Sequence, residues 1–177
     1  MKEMENKYRV GIIGATGMVG QRLVTLLDKH PWFQVTVLAA SGRSAGQAYK
    51  KAVEGRWAFS WDIPEKVADM MVYDAAEVEK VASMCDFVFC AVNMDKAATR
   101  ELEEKYAASG TPVVSNNSAC RLVADVPMLI PEINASHAPI IHAQRKRLGT
   151  KKGFIAVKPN CSIQSYVPVS YTHLTLP

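Results

Sequence analysis

Three groups of residues in this chain have the types and spacing to do chemistry. The first is Lys158-Pro159-Asn160-Cys161-Ser162-Ile163-Gln164: a Pro-Asn turn, a cysteine, then a segment able to open a helix. A thiol at a helix N-terminus meets unpaired backbone N–H groups and the positive end of the helix dipole. Both favour the thiolate, which is the nucleophile; the plainer alternative is a buried structural cysteine. The second group is Gly14, Gly17 and Gly20, spaced G-x-x-G-x-x-G. Here Gly14 permits a tight turn, Gly17 lets the backbone approach a pyrophosphate, and Gly20 allows close packing of helix on strand. A diphosphate would rest on the N–H groups that open the helix. The third is Ser41-Gly42-Arg43-Ser44-Ala45-Gly46. A unit that binds NAD usually carries an acid at this point for the ribose 2′-hydroxyl. An arginine between two hydroxyls suits a 2′-phosphate instead, so the expected cofactor is NADP(H), held in part by Ser41, Arg43 and Ser44.

The elements that must position these groups follow from periodicity. Tyr8 to Ile13 is short, apolar and β-branched, as in a buried strand. Gln21 to Lys29 places Leu23, Val24, Leu26 and Leu27 on one helical face and stops before Pro31. Gln34 to Ala40 is a second strand, which completes a right-handed βαβ unit. The alternation continues with a strand at Met70 to Tyr73, a helix at Ala75 to Ser83 and a strand at Asp86 to Val92. A helix at Lys96 to Ser109 and a strand at Pro112 to Ser115 follow, and an apolar run, Phe154 to Val157, leads into the Pro-Asn turn. This pattern predicts an α/β fold, a Rossmann-like, doubly wound, mostly parallel sheet. From Asn116 to Gly153 the chain is punctuated by proline and expected to be irregular.

Composition narrows the class. The 177 residues, 49% hydrophobic and 21% charged, suffice for one domain with a real core and leave little for a second. No apolar run is long enough for a membrane span, and the charged start, Met1 to Lys7, leads straight into a strand rather than a signal sequence. Cys85, Cys90, Cys120 and Cys161 lack metal-ligand spacing and are expected to be reduced, which points to the cytoplasm. Arg145-Lys146-Arg147 and Lys151-Lys152 form a basic cluster without interleaved aromatics, read as a solvated surface rather than a nucleic-acid site.

Taken together, GATGMVGQ at Gly14 to Gln21, SGRSAGQ at Ser41 to Gln47, SNNSACR at Ser115 to Arg121, DVPMLIPEIN at Asp125 to Asn134 and KPNCSIQSYVP at Lys158 to Pro168 resemble the aspartate-β-semialdehyde dehydrogenases. The likeness is to the branch found in archaea, fungi and some bacteria, and it runs from about Tyr8 to Pro168. It implies NADPH-dependent reduction of L-4-aspartyl phosphate to aspartate 4-semialdehyde, on the route to lysine, methionine and threonine. Cys161 matches the nucleophile that forms a thioester. Arg121 matches the arginine that holds the substrate phosphate, with Asn116 beside that pocket. Thr16, Met18 and Val19 would contact the diphosphate, and Val92 and Asn93 would approach the cofactor at the carboxyl edge of the sheet. One departure is Cys120, where the branch typically has histidine.

The resemblance also implies a second domain, with the acid/base histidine, an orienting glutamine and most of a homo-oligomer interface. His30, His137, His142 and His173 match no catalytic position of the family. The expected division is therefore a cofactor-binding domain over 1–153, the start of a truncated catalytic domain over 154–168, and a non-native tail over 169–177. The fragment by itself is expected to be inactive. Malonyl-CoA reductases and N-acetylglutamyl-phosphate reductases share the cysteine logic, the latter usually with Pro-Gly-Cys, and a non-catalytic nucleotide-binding module is an alternative of another class.

One measurement addresses the Ser41 to Gly46 loop directly. Arg43→Ala should weaken NADPH binding roughly tenfold or more, the worth of a charge-assisted hydrogen bond, in a fluorescence titration of folded protein. Unchanged affinity would remove the 2′-phosphate role.

Overall fold

The run Tyr8–Ile13 is rich in β-branched and apolar side chains, and in the computed structural model it forms a strand, β1, buried from Val10 onward. The structure describes residues 7–173 and divides into two compact units, Met1–Asp95 and Lys96–Pro177. In the first, β1 (Tyr8–Ile13) turns at Gly14 into α1 (Met18–Leu27), and the chain returns as β2 (Phe33–Ala40). Two single-turn helices, α2 (Tyr49–Ala52) and α3 (Glu65–Ala68), precede β3 (Val72–Asp74). Then α4 (Val78–Ser83) leads to β4 (Phe87–Cys90). The strands are parallel in the order β3-β2-β1-β4. The strand order therefore reverses between β1 and β4, the crevice at which open α/β sheets bind ligands. Val10, Ile12, Val24, Leu27, Leu38 and Tyr49 lie in the core of this unit.

The second unit is built on α5 (Lys96–Ala108), β5 (Val113–Ser115), α6 (Pro131–Asn134), a 3₁₀ segment (Ala135–Ile140), α7 (Ile141–Leu148), β6 (Ile155–Val157) and α8 (Cys161–His173). Strands β5 and β6 are parallel. Gln144 locks α7 to β6: its buried amide donates to the carbonyls of Asp125 (2.9 Å) and Ile155 (3.0 Å) and accepts from the Ile155 N–H. Arg147 donates to Asp125 at 2.6 and 3.0 Å and to Glu104 at 2.9 Å. That pairing holds the Asp125 carboxyl below the usual carboxylate range. Arg145 lies over the Phe154 ring and donates to the carbonyl of Lys152. The two arginines of the basic cluster are thus engaged within their own unit.

The α/β, parallel, Rossmann-like expectation holds, and the first βαβ unit is where the pattern places it. Two local expectations are corrected. Helix α1 begins at Met18, not Gln21, because Gly17 itself is the N-cap. The stretch 116–153 is not irregular throughout. Asn134 folds back to accept from Ile130 N–H and donate to Met128 carbonyl, and Gln144 gives α7 a buried anchor, neither of which periodicity reveals. Residues 169–173 of the expected tail are helical, since α8 continues through Pro168 to His173. Residues 1–6 of the charged N-terminus and 174–177 of the expected tail lie outside the described residues.

At Gly20 an added Cβ would overlap the carbonyl oxygen of Gly14 and stand 2.7 Å from the Ala15 Cα. Both are backbone atoms and cannot swing away. Gly20→Ala should therefore destabilise the protein by about 1–3 kcal/mol, read as a lower urea midpoint; an unchanged midpoint would contradict so close a helix–strand approach.

Candidate active site and nucleotide cradle

The glycine turn is held from beneath. Gly14 and Ala15 N–H groups both donate to the Ala39 carbonyl (2.8 and 3.0 Å). The Tyr49 hydroxyl, fully buried, donates to the Ala15 carbonyl at 2.9 Å, and burial raises its pKa. Gln21, also buried, donates to the carbonyls of Thr16 (3.0 Å) and Arg56 (3.1 Å) and accepts from Ala58 N–H at 2.8 Å. Gly14 has φ +86°, and its Cβ would come within 2.5 Å of the Ala91 carbonyl oxygen and 2.9 Å of Val92 N. The turn therefore abuts the chain after β4, which brings Val92 beside it with Asn93 next in sequence.

Gly17 differs from its two partners. A Cβ added at this exposed position would meet nothing closer than the Gly14 carbonyl oxygen at 3.5 Å, so the protein's own packing does not require a glycine there. A ligand lying against the backbone would. The start of α1 has no side-chain cap and no acidic residue in its first turn, and Met18 and Val19 are exposed. Thr16 is half-buried at the turn. These features fit a dinucleotide diphosphate on the α1 N-terminus.

At the end of β2, Ser41 and Arg43 are exposed and Ser44 is buried. Ser44 N–H donates to the Ser41 carbonyl at 2.8 Å, closing the loop. Arg56 donates to Ser44 Oγ at 3.0 Å and to the Ala52 carbonyl, so the Ser44 hydroxyl has an internal partner. Sequence reading found no acid at the end of the second strand, yet Asp74 at the end of β3 reaches the loop. Its Oδ2 lies 2.9 Å from where a Gly42 Cβ would stand.

In the second unit, β6 delivers the turn Lys158-Pro159-Asn160 to the start of α8. Asn160 is the cap: its Oδ1 accepts from Ser162 N–H at 2.9 Å and its carbonyl accepts from Gln164 N–H at 3.0 Å. Cys161 is therefore the first helical residue, exposed, with Sγ 3.7 Å from Asn160 Oδ1. Arg121 reaches the same turn. Its Nε donates to the Lys158 carbonyl (3.1 Å), and one terminal nitrogen donates to the carbonyls of Pro159 (3.3 Å) and Asn116 (3.5 Å). Lys158 Nζ also donates to the Pro159 carbonyl at 3.2 Å. Two cations thus converge on one peptide oxygen, two residues before the thiol. The structure brings Arg121 and Asn116 to the turn that precedes Cys161 within the second unit, and within the first it sets Val92 beside Gly14 and leaves Ser41, Arg43 and Ser44 on the loop after β2. Among the described residues, no three His, Cys, Asp or Glu side chains gather as metal ligands would.

Residues 9–140 match the family model described as semialdehyde dehydrogenase, NAD binding domain. This chain belongs to the semialdehyde dehydrogenase family. It is 43% identical over 158 residues to an aspartate-semialdehyde dehydrogenase of Archaeoglobus fulgidus, covering 88% of the chain and 43% of that protein. It is 44% identical over 153 residues to that of Methanothermobacter thermautotrophicus, covering 86% and 42%. Among solved structures, the aspartate semialdehyde dehydrogenase with NADP from Candida albicans superposes with a TM-score of 0.79 at 36% identity, over 92% of this chain and 45% of that one. The chain thus spans less than half the length of the curated relatives it matches.

Several residues of this semialdehyde dehydrogenase chain that shape the two sites were given no role from sequence: Tyr49, Gln21 and Arg56 in the cradle, Lys158 and Glu103 around the cysteine turn. Lys158 could have been, since a cation three residues before a nucleophile is a local signal. The others act across 12 to 37 residues of sequence, which no local pattern reports.

Cys85, Cys90 and Cys120 are buried while Cys161 is exposed, and burial pushes the Cys120 thiol up to about 12. Iodoacetamide at neutral pH should therefore modify Cys161 alone in folded protein, with the other three labelled only after denaturation. Peptide mapping that found Cys120 or Cys90 modified at a comparable rate would contradict the structure.

Proposed function

We propose that this chain is the cofactor-binding and nucleophile-bearing part of an aspartate-semialdehyde dehydrogenase that converts L-4-aspartyl phosphate to L-aspartate 4-semialdehyde. The observation that carries the reading is an exposed cysteine at a capped helix start, reached through its turn by two cations. The names of the relatives support the substrate. Lysine, methionine and threonine biosynthesis, a homo-oligomeric state and a cytoplasmic location follow from the same reading. So does the division into a cofactor domain over 1–153, the beginning of a catalytic domain over 154–168 and a non-native tail over 169–177.

The thiolate of Cys161 attacks the acyl carbon of the substrate. A C–S bond forms as the C–O bond to phosphate breaks, and phosphate leaves with the electron pair, giving a thioester on Cys161. Arg121 and Lys158, whose partners are neutral carbonyls, retain the positive charge that binds the phosphoryl group and stabilises it as it departs. Asn116, with its carbonyl held by Arg121, lines the same pocket. Gly14, Thr16, Gly17, Met18, Val19 and Gly20 would cradle the diphosphate of NADPH, Ser41, Arg43 and Ser44 its 2′-phosphate loop, and Val92 and Asn93 the far end of the crevice. When bound, NADPH supplies the hydride that brings the acyl group to the aldehyde level. Cys161 is then the leaving group, recovering its electron pair as the aldehyde is released. The proton transfers call for an acid/base group worth about 10²–10⁴ in rate. His30 accepts from Trp32 and Phe33 N–H groups and His137 pairs with Asn134, so neither is assigned that task.

The full-length protein encoded at the locus should reduce NADP⁺ in the presence of aspartate semialdehyde only when phosphate is supplied. Cys161→Ser should lower kcat by a factor on the order of 10³ or more. Turnover of malonyl-CoA with NADPH, without turnover of aspartate semialdehyde, would reassign the substrate. A preference for NAD⁺ would shift the ribose contact from Arg43 to Asp74.

A further inference from the structure

A buried carboxylate sits behind the phosphate pocket, and the chemistry above makes no use of it. Glu103 lies on α5 with 0% exposure, where an unpaired charge would be costly. Its Oε1 accepts from Ser115 Oγ at 2.5 Å and from Asn117 Nδ2 at 2.9 Å. The Ser115 hydroxyl in turn accepts from Asn117 N–H at 3.0 Å, and the Ser115 carbonyl accepts from Lys158 N–H at 3.0 Å. The buried Cys120 thiol lies close to this carboxylate, whose charge adds to burial in raising the thiol's pKa. One side chain therefore grips the loop at 115 and 117 and adjoins it at 120. Asn116 stands between the first two of these points, and Arg121 directly follows the third.

We propose that Glu103 is a positioning residue for anion binding: its carboxylate fixes the Ser115–Arg121 loop so that Asn116 and Arg121 meet a phosphoryl group at the Cys161 turn. The inference rests on the phosphate role given to Arg121 above. Oε2 has no hydrogen-bond partner among the described residues, so the desolvation of this carboxylate is only partly offset. Both firm contacts fall on Oε1, an acceptor that glutamine also offers. Shape and acceptor capacity are therefore the requirement, and Glu103→Gln should serve where Glu103→Leu does not.

The test uses the full-length protein and inorganic phosphate as the probe. Phosphate should slow iodoacetamide labelling of Cys161 in the wild type. In Glu103→Leu the phosphate concentration giving half-protection, and the KM for phosphate in turnover, should rise about tenfold or more, since small misplacements at a site carry penalties of this order. The KM for NADP⁺ should stay unchanged, and Glu103→Gln should restore phosphate dependence close to the wild type. If Glu103→Leu yields no folded protein, Ser115→Ala removes the shortest contact of the grip and should raise half-protection in the same direction. A folded Glu103→Leu (or, failing that, Ser115→Ala) with wild-type phosphate dependence overturns the inference even if its melting temperature falls, as does a parallel rise in both KM values. Absence of phosphate protection in the wild type refutes the phosphate pocket itself, and this role of Glu103 with it.

Discussion

The first unit depends on a contact in which two backbones touch with no side chain between them. Gly20 sits against the carbonyl of Gly14 so closely that a single methyl group would collide with main chain. This sets α1 down on the end of β1 and aims its first turn at the crevice beside β4. The rest of the cradle secures that placement. The Ala39 carbonyl takes two N–H groups of the turn, Tyr49 and Gln21 take the carbonyls of Ala15 and Thr16, and the outward side at Gly17 is left bare. A hydroxyl and an amide that are themselves fully buried are good anchors, because breaking either bond would strand a polar group out of water.

How far this was legible from sequence varies by residue. The strand Tyr8–Ile13, the glycine spacing and the return strand declare a βαβ unit, since hydrophobic period and glycine placement are local properties. Gly14 and Gly20 have the structural roles their positions imply. Ser44 shows the limit: its residue type is visible in the sequence, but the Arg56 guanidinium that donates to its hydroxyl oxygen comes from twelve positions away. Asp74 shows the same limit from the other side, a carboxylate delivered to the Ser41 to Gly46 loop by β3 rather than β2. In the second unit, α7 is polar by composition, and it is ordered through Gln144 and Arg147. Their partners lie 11 to 43 residues away, and amphipathic periodicity carries no trace of them.

Cys120 and Cys161 put the same side chain to opposite uses. Cys120 is closed in beside a carboxylate, where both burial and negative charge oppose ionisation. Cys161 stands in solvent at a helix start capped by Asn160. The residue before Arg121 is accordingly a packing position.

Arg121 and Lys158 have a consequence of another kind. Their contacts at the cysteine turn are peptide oxygens, which orient a cation without cancelling its charge. The turn is therefore a local source of positive potential, able to draw an anion from a distance before any contact is made. Such attraction fades over about 10 Å at 0.1 M salt. Encounter with a doubly charged acyl phosphate would be fast in dilute buffer and slow as ions are added, while an uncharged analogue would arrive at a rate indifferent to salt.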